Sequence, residues 1–235
     1  MNAYNLDKNY TFKINKLDTT TEEWCSRKEF GAYKRYTQNG YFEKINSALR
    51  CGITNDYFVN EDIQALDRLF LALPNKLRNK TPLNVYRGTI LTQELQDILT
   101  GKSENNIYTD KGFVSTSKSK QVAKLFAQKD DGIMMYITIP KNSCIIDDSF
   151  LPSYAGSKME SEQEVLLPRN AQFRILSYNP ESRIVEAQYI GQKQPLEIPQ
   201  IIEIKSSGQD ILSNWNKEFI LKDIQIKEKY KNKIY

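Results

Sequence analysis

The stretch Ile133-Met134-Met135-Tyr136-Ile137-Thr138-Ile139 is the clearest buried strand in the sequence, and Pro140 ends it. A short run of mostly apolar and β-branched residues with a proline directly after it is typical of a strand that is covered on both faces. Several shorter segments of the same character surround it, whereas the N-terminal part carries helical patterns. Helices followed by many short strands predict an α+β fold.

Residues 1–80 are predicted to form the helical part of this fold. The three threonines 19–21 directly before Glu22 and Glu23 are typical of a helix N-terminus, with hydroxyl caps and acidic residues in the first turn. We therefore expect a helix from this cap to about Tyr36, where Asn39-Gly40 breaks it. Two further helices are expected, one with Tyr41, Ile45, Ala48 and Leu49 on a single face and one from Asn60 to Leu73 that Pro74 ends.

Residues 81–235 are predicted to form a mixed β core with a C-terminal helical tail, so that 1–235 is a single domain. The predicted strands are Leu83–Arg87, Gly112–Thr116, Glu164–Leu167 and a hairpin of Phe173–Tyr178 with Arg183–Ile190. The predicted short helices are Gln93–Leu99 and Lys118–Gln128, the second with Val122, Leu125 and Phe126 facing inward. At the C-terminal end we expect a strand at Ile201–Ile204 and a helix from Gln209 onward.

The composition excludes several classes of active site. The 235 residues contain no histidine, so a Ser-His-Asp triad and a Cys-His nucleophile are both excluded. The three cysteines (Cys25, Cys51 and Cys144) are widely spaced and include no CxxC pair. Neither a zinc site nor a disulfide framework is therefore expected, and no residue is assigned to a metal.

Charge and hydropathy narrow the expected partners. The net charge of +4 fits an anionic ligand but gives little support to nucleic-acid binding. The polar N-terminus lacks the apolar stretch of a signal peptide, and no run approaches the ~18 apolar residues that span a membrane. We therefore expect a soluble protein without a membrane partner and without nucleic acid as its main partner.

Three short segments carry the residue types of a site for a charged ligand. They are Val85-Tyr86-Arg87-Gly88, Gly112-Phe113-Val114-Ser115-Thr116-Ser117 and Glu162-Gln163-Glu164-Val165-Leu166-Leu167-Pro168. Taken singly, each has an ordinary structural explanation: a surface arginine in a salt bridge, a helix cap, and two solvent-facing carboxylates. Their order, spacing and strand context are specific only when they are taken together.

In that order the segments resemble the Arg/Ser/Glu class of mono-ADP-ribosyltransferases, which includes the enzymatic components of binary actin-modifying toxins. The resemblance covers roughly residues 36–190. It includes the segment from Tyr36 to Arg50, which is similar to the family's Tyr-x-x-Ile-Asn-x-x-Leu-Arg helix, and Phe126, eleven residues beyond Ser115. Lys129 stands where the binary toxins tend to carry arginine, and the amide residue that often precedes Ser-Thr-Ser in the family has no clear match.

The resemblance implies a fold of the ADP-ribosyltransferase type, in which N-terminal helices pack on two mainly antiparallel sheets that enclose an NAD cleft. It implies NAD+ as co-substrate and a host or other target protein as acceptor. The implied catalytic residues are Arg87, Ser115, Glu162 and Glu164, and Ser115 is implied to orient Glu164 through a hydrogen bond. The implied NAD-binding residues are Tyr36, Tyr41, Asn46, Arg87, Gly88, Gly112, Ser115, Thr116, Ser117, Phe126, Lys129 and Glu164. Tyr154 and Glu162 are implied in target recognition.

The chemistry of NAD+ gives the charged residues separate roles. Cleavage at nicotinamide leaves an oxocarbenium-like ribose, which a nearby carboxylate stabilises, and Glu164 at the start of an apolar strand is the candidate. Arg87 offers a planar fork that suits a pyrophosphate. Residues i and i+2 of a strand share a face, so Glu162 can point into the same cleft. The resemblance pairs a Glu at that position with an arginine acceptor, and Glu160 remains a second candidate for it.

The expected function is therefore transfer of ADP-ribose from NAD+ to a protein, with arginine as the acceptor. Three alternatives remain open: an NAD+ glycohydrolase that uses water, a transferase with another acceptor such as RNA, and a non-catalytic NAD-binding module. The absence of a signal peptide and of a disulfide framework, together with the resemblance to toxins, leads us to expect a bacterial or phage effector. Such an effector would be secreted or injected and would act in the host cytosol.

Overall fold

The computed structural model describes residues 25–37, 40–128, 131–151, 163–194 and 196–201. The helices among them are α1 (Arg27–Tyr36), α2 (Tyr41–Cys51), α3 (Tyr57–Ala72), α4 (Gln93–Leu99) and α5 (Lys120–Phe126). The strands are β1 (Ile53–Thr54), β2 (Leu83–Ile90), β3 (Ile107–Asp110), β4 (Val114–Ser117), β5 (Gly132–Ile139), β6 (Ile146–Asp147), β7 (Glu164–Leu167), β8 (Ala171–Asn179), β9 (Ile184–Gln192) and β10 (Gln200–Ile201). The predicted C-terminal helix and most of the strand predicted at residues 201–204 lie outside the described residues.

Local capping decides where the N-terminal helices begin. Ser26 has an extended backbone and its hydroxyl accepts the N–H of Lys28, while a second bond joins it to the Glu29 carboxylate. The Ser26 side chain thus caps the first turn, so α1 begins at Arg27. The expectation of one unbroken helix from the cap at residues 19–21 is therefore wrong at Ser26, and residues 19–21 lie outside the described part. Similarly, Asp56 caps α3, which begins at Tyr57 and so earlier than predicted.

Eight of the strands form one mixed sheet in the order β3-β8-β9-β5-β2-β4-β7-β6, and β1 pairs with β10 separately. Within the large sheet β5 and β9 are parallel, and the other neighbouring pairs are antiparallel. The α+β prediction is confirmed, and the strands around residue 135, at Glu164 and in the hairpin β8–β9 lie where they were predicted. The strand β3 was not predicted, because its four residues carry no clear pattern.

The two predicted sheets are two parts of this one sheet. Strand β2 pairs with β5 along its whole length, from Leu83 opposite Ile139 to Ile90 opposite Gly132. On its other side β2 pairs with β4 at a single position, Tyr86 opposite Ser117. The five strands from β3 to β2 and the three strands β4, β7 and β6 thus meet at a narrow junction.

Two hydrophobic cores lie on either side of β7. The helical core is formed by α1, α2 and α3 with Phe113, Ile146 and Leu166. The sheet core contains residues of the large sheet, including Val165 and Leu167. Successive side chains of a strand point to opposite faces, so Glu164 shares the face of Leu166 and is directed toward the helical core. This alternation places the carboxylate of Glu164 next to α1.

Helix α5 is rotated relative to the prediction. It runs from Lys120 to Phe126, and its buried residue is Ala123. Leu125 and Phe126 are 65% and 54% exposed, so the expectation that they face inward is wrong. The cause is the close contact of α5 with β2: a Cβ on Gly88 would lie 2.1 Å from the carbonyl oxygen of Ala123. Only small residues allow two backbones to approach this closely.

None of the helices among the described residues has the length and the apolar character needed to cross a membrane.

Candidate active site

The centre of the candidate site is the carboxylate of Glu164. This residue begins β7 and lies opposite Ser117 of β4 in the sheet register. It is only 7% exposed, which is unusual for a glutamate because burial disfavours its charged form. Strand pairing and the two adjoining cores hold the backbone of Glu164 in place, as the support of a catalytic group requires.

Two hydroxyl groups hold the two oxygens of this carboxylate. Ser115 on β4 donates to Oε1 at 2.7 Å, and Tyr33 on α1 donates to Oε2 at 3.0 Å. The contact between Ser115 and Glu164 agrees with the pairing expected from the sequence. Tyr33 was missed, because it lies 131 residues from Glu164 and belongs to no motif. No spacing pattern in the sequence indicates that a tyrosine of this helix contacts the start of β7.

Burial and nearby charge keep the Tyr33 phenol protonated. Burial raises the pKa of Tyr33 well above its ordinary value, and the negative charges of Glu164 and Asp148 raise it further. Burial and then Glu164 also raise the pKa of Tyr36 to about 12. Both phenols are therefore uncharged at neutral pH, and Tyr33 is a permanent donor to the carboxylate.

Arg87 lies at the narrow junction of the sheet. Its Nη1 donates to the backbone oxygen of Ser115 at 2.7 Å, and its side chain is 14% exposed. Because β2 and β4 are paired at only one position, this side-chain bond supplies part of the connection between them. Ser115 thus contacts both predicted catalytic charges: its backbone oxygen accepts from Arg87, and its hydroxyl donates to Glu164.

A second arginine shares a carboxylate with Arg87. Arg50 at the end of α2 contacts both oxygens of Asp110, with its Nη2 at 3.1 Å from each, and Nη2 of Arg87 lies 3.5 Å from Oδ2 of the same residue. Asp110 is 4% exposed and also accepts the N–H of Gly112 at 2.9 Å. Two guanidinium groups thus converge near Ser115, and such a pair suits a ligand with two phosphate oxygens. Neither Arg50 nor Asp110 was assigned to the site from the sequence.

Several of the predicted NAD contacts occupy supporting positions. Asn46 is 5% exposed, accepts the N–H of Phe113 at 2.9 Å and donates to the Phe113 carbonyl at 3.1 Å. The Tyr36 hydroxyl donates to the same carbonyl and is 1% exposed. Gly112 leaves room for Asn46, since a Cβ there would lie 2.7 Å from its Oδ1. These residues fix the segment that leads into β4, and their direct contact with NAD remains a prediction.

Thr116 and Ser117 also act within the protein. Thr116 donates to the Val165 carbonyl at 2.6 Å, and Ser117 accepts the N–H of Ser119 at 2.9 Å at the start of α5. Tyr41 lies on the other side of α2, where burial and the carboxylates of Asp62 and Asp56 raise its pKa to about 12. The structure thus brings together Ser115, Glu164 and Arg87, while Thr116 and Ser117 shape the end of β4.

Four predicted positions lie outside the described residues: Lys129, Tyr154, Glu160 and Glu162. The two ends of the segment that contains the last three are described. Lys118 contacts residues on either side of it, with its Nζ 2.5 Å from Oδ2 of Asp147 and its backbone N–H donating to the Gln163 carbonyl at 3.1 Å. Gln163 has a φ of 45°, an uncommon conformation for a residue with a side chain, directly before Glu164.

A cleft away from the candidate site is a second place where a ligand could bind. A shallow cleft of about 310 Å³ lies elsewhere, between Cys144, Pro168 and Tyr189, and contains none of the predicted site residues. Its lining offers no charged group to an anionic ligand, so the chemistry favours the cluster around Glu164. In the described part of the chain, no group of three potential ligands is arranged to hold a metal ion.

Comparison with solved structures gives the class of fold. The matching structures are ADP-ribosyltransferases, and the fold described above is the ADP-ribosyltransferase fold. The chain belongs to the ADP-ribosyltransferase exoenzyme family, whose profile matches residues 7–233. No curated protein sequence matches the chain significantly.

Three of the similar structures are bacterial proteins. Plx2a, an ADP-ribosyltransferase toxin from Paenibacillus larvae, is 21% identical over 73% of this chain and 91% of its own, with a TM-score of 0.55. Exoenzyme S from Pseudomonas aeruginosa, bound to carba-NAD and to human 14-3-3 protein beta, is 21% identical over 81% and 82%, with a TM-score of 0.53. Vis from Vibrio splendidus, solved with agmatine, is 21% identical over 78% and 87%, also at 0.53. Identities this low establish the shared fold alone.

Proposed function

We propose that this protein is a mono-ADP-ribosyltransferase that cleaves NAD+ at the bond between nicotinamide and ribose and transfers ADP-ribose to a protein arginine. The observation that carries the proposal is the buried Glu164 carboxylate, which receives a hydroxyl donor on each oxygen. A buried charge is costly, and such a group is retained where its charge has a task.

The task proposed for Glu164 is to stabilise the ribose as its bond to nicotinamide breaks. The electron pair of the bond leaves with nicotinamide, which becomes neutral, and positive charge develops on the ribose. A fixed carboxylate lowers the energy of that state without having to reorganise. The carboxylate also accepts a hydrogen bond from the ribose 2′-hydroxyl, which places the reacting carbon against it.

The task proposed for Arg87 and Arg50 is to hold the pyrophosphate of NAD+. Both guanidinium groups lie near Asp110, and Arg87 is joined directly to the residue that orients Glu164. A bidentate arginine fork matches two phosphate oxygens in geometry and charge. Arg50 is an addition to the residues expected from the sequence.

Glu162 is proposed to serve the acceptor. An arginine guanidinium is protonated and a poor nucleophile, so a carboxylate is needed to orient it and to take its proton as the new carbon–nitrogen bond forms. Glu162 is only two residues from Glu164 in the sequence, which is close enough along the chain for it to serve the same cleft. This role of Glu162 does not depend on strand alternation, because β7 begins at Glu164 and Gln163 has a φ of 45°. The agmatine in the similar structure of Vis is a guanidine and supports the same acceptor class.

The partner and place of action follow from the same reasoning. We infer a protein target in a host cell, reached by a bacterial or phage effector, because the family and its similar structures are exoenzymes and toxins. The three cysteines are unpaired, which fits a reducing compartment. Tyr154 is proposed to touch the target.

The test of the function uses NAD+ labelled in the ADP-ribose part, with agmatine or a eukaryotic lysate as acceptor. We expect release of nicotinamide and formation of ADP-ribosyl-agmatine and of labelled protein, all lowered on the order of a hundredfold or more in Glu164→Gln. Nicotinamide release without any labelled acceptor would identify an NAD+ glycohydrolase instead. Label in RNA would identify another acceptor, and no cleavage at all would leave an NAD-binding module.

The arginine assignment is tested by the ratio of ADP-ribosyl-agmatine to free ADP-ribose. In Glu162→Gln the ratio should collapse while cleavage by water continues, because the ribose is still stabilised by Glu164 and water needs little activation. Glu160→Gln is the matched control and should leave the ratio unchanged. An equal loss of both products in Glu162→Gln would remove the support for arginine.

A further inference from the structure

We propose that Tyr33 is a positioning residue for the catalytic carboxylate: its phenol holds Oε2 of Glu164 so that the carboxylate stays ionised and keeps one orientation. The inference rests on the proposed role of Glu164 in NAD+ cleavage and adds a residue to that machinery. Tyr33 lies in none of the three sequence motifs. Its hydroxyl is 3.0 Å from Oε2 and its side chain is fully buried.

The first argument is geometric. The terminal torsion of a glutamate is broad and poorly fixed by its own rotamer preference, so one hydrogen bond leaves the carboxylate free to swing. Ser115 holds Oε1 from β4 and Tyr33 holds Oε2 from α1, so the two donors come from different elements. A carboxylate bound at both oxygens from two rigid elements is fixed in its plane.

The second argument is electrostatic. Glu164 is 7% exposed, and burial favours its protonated, neutral form. Charged groups act on the two phenols beside it: Asp148, which follows β6, raises the pKa of Tyr33, and Arg87 lowers the pKa of Tyr36. Ser115 and Tyr33 are uncharged donors to its two oxygens. A phenol that donates directly to the carboxylate therefore offsets the cost of keeping it charged.

The third argument is that α1 is itself held in place. Glu29, one turn before Tyr33, bonds Ser26 at the helix start and accepts from Nε of Arg68 on α3 at 2.8 Å. These bonds and burial compete at Glu29: burial alone would raise the pKa of Glu29, but the bonds from Ser26 and Arg68 lower it. The turn that carries Tyr33 is thus anchored to the cap and to α3, as expected of a support for a catalytic group.

The two roles that Tyr33 could have, packing in the core and positioning of Glu164, predict different results for Tyr33→Phe. The substitution keeps the ring and removes only the hydroxyl. If the hydroxyl serves packing alone, the free energy of unfolding changes and the kinetics per folded molecule do not. If it positions Glu164, the rate constant falls and its pH dependence changes, because the carboxylate becomes easier to protonate.

The experiment measures nicotinamide release from NAD+ as a function of pH for wild type, Tyr33→Phe and the control Tyr189→Phe. Tyr189 is also a buried tyrosine, 4% exposed, but it lies in the sheet core. In Tyr33→Phe we expect kcat to fall roughly tenfold, KM to stay nearly constant, and the acid limb of the profile to move up by about one pH unit. In Tyr189→Phe the acid limb should stay in place.

A carboxyl ¹³C titration of Glu164, assigned with Glu164→Gln, separates this inference from the proposed function. If wild type does not cleave NAD+, the proposed function fails, but a higher titration midpoint in Tyr33→Phe still supports the contact. An unchanged midpoint, or an unchanged acid limb in an active enzyme, overturns the inference. If Tyr33→Phe does not fold, the NMR signal of the Tyr33 hydroxyl proton in wild type provides the test. We expect this signal to lie downfield and to shift in Glu164→Gln. A wild type without a downfield signal overturns the inference.

Discussion

The two ends of the candidate site are built in different ways. At the carboxylate end, two uncharged hydroxyls from Ser115 and Tyr33 donate to a single buried charge, Glu164. At the arginine end, the cations Arg50 and Arg87 share one buried carboxylate, Asp110, and their side chains are 41% and 14% exposed. The first arrangement is complete without a ligand. In the second, an anionic ligand competes with an internal counter-ion for the same guanidinium groups.

This difference separates chemistry from binding. Interactions that are already fixed around a developing charge act mainly in the transition state and therefore change kcat. Interactions between a cation and a phosphate are made as soon as the ligand binds and therefore change affinity. Substitutions at the two ends should consequently produce different kinetic patterns, and the predictions below use that contrast.

The largest effect is expected at the carboxylate end. Glu164→Gln should lower NAD+ cleavage on the order of a hundredfold or more, as is typical for loss of a central electrostatic contact in a transition state. The dissociation constant of NAD+ should change far less, because the amide still fills the site. Nicotinamide release and calorimetric titration measure the two quantities. A variant that cleaves at a near-normal rate would remove Glu164 from the centre of the account.

The next effect is expected at the arginine end. Arg87→Ala should weaken NAD+ binding by about 1.5–3 kcal/mol, the range for a hydrogen bond to a charged group. The fold should survive, although loss of the bond to Ser115 should also loosen the junction of β2 and β4. Calorimetry measures the affinity, and the exposed Arg174 provides a charge-matched control, Arg174→Ala. Wild-type affinity in Arg87→Ala would contradict this role.

A third prediction concerns the packing of α5 against β2, the strand that carries Arg87. Gly88→Ala should lower the free energy of unfolding by about 1–3 kcal/mol, the usual cost of overpacking, because its Cβ would meet the backbone of α5. Gly31→Ala in α1 is the control, since its Cβ would approach only the flexible end of Arg35. Denaturant unfolding compares the two. Equal stability of both variants would mean that α5 does not press on β2 as described.

The smallest effect is expected from pH acting on the helix that carries Tyr33. Bonds from Ser26 and Arg68 hold the pKa of Glu29 below its ordinary value despite burial. A lowered folded-state pKa means that the stabilisation is present above the unfolded pKa and is lost as pH falls through the folded one. The free energy of unfolding should therefore decline less steeply on acidification in Glu29→Gln than in wild type. Parallel pH dependences would exclude Glu29 as a source of acid sensitivity.

Local pattern was sufficient for one end of the site. Glu164 begins an apolar run that ends at Pro168, which predicts a strand, and the structure has a strand there. Its contact with Ser115 followed from the resemblance of the motifs. The contact with Tyr33 did not, because it depends on how α1 packs across β7, and no local spacing encodes that packing.

The arginine end was only half predictable for a similar reason. Arg87 stands out within a strand, but Asp110 closes a four-residue strand without a pattern, and its importance comes from the two arginines that meet there. The orientation of α5 was mispredicted because Leu125 and Phe126 have core-like spacing. Contact with Gly88 instead requires the small Ala123 to face the strand.

The most direct test of the account is a structure of the protein with carba-NAD, the analogue that exoenzyme S holds in its own structure. We expect the ribose on the nicotinamide side to lie within hydrogen-bonding distance of Glu164, with Ser115 and Tyr33 still on its two oxygens. We expect a phosphate oxygen to contact Arg87, with Asp110 released from part of its ion pairs. A ligand in the cleft beside Cys144 and Tyr189, or one bound with its phosphates at Glu164, would contradict the account.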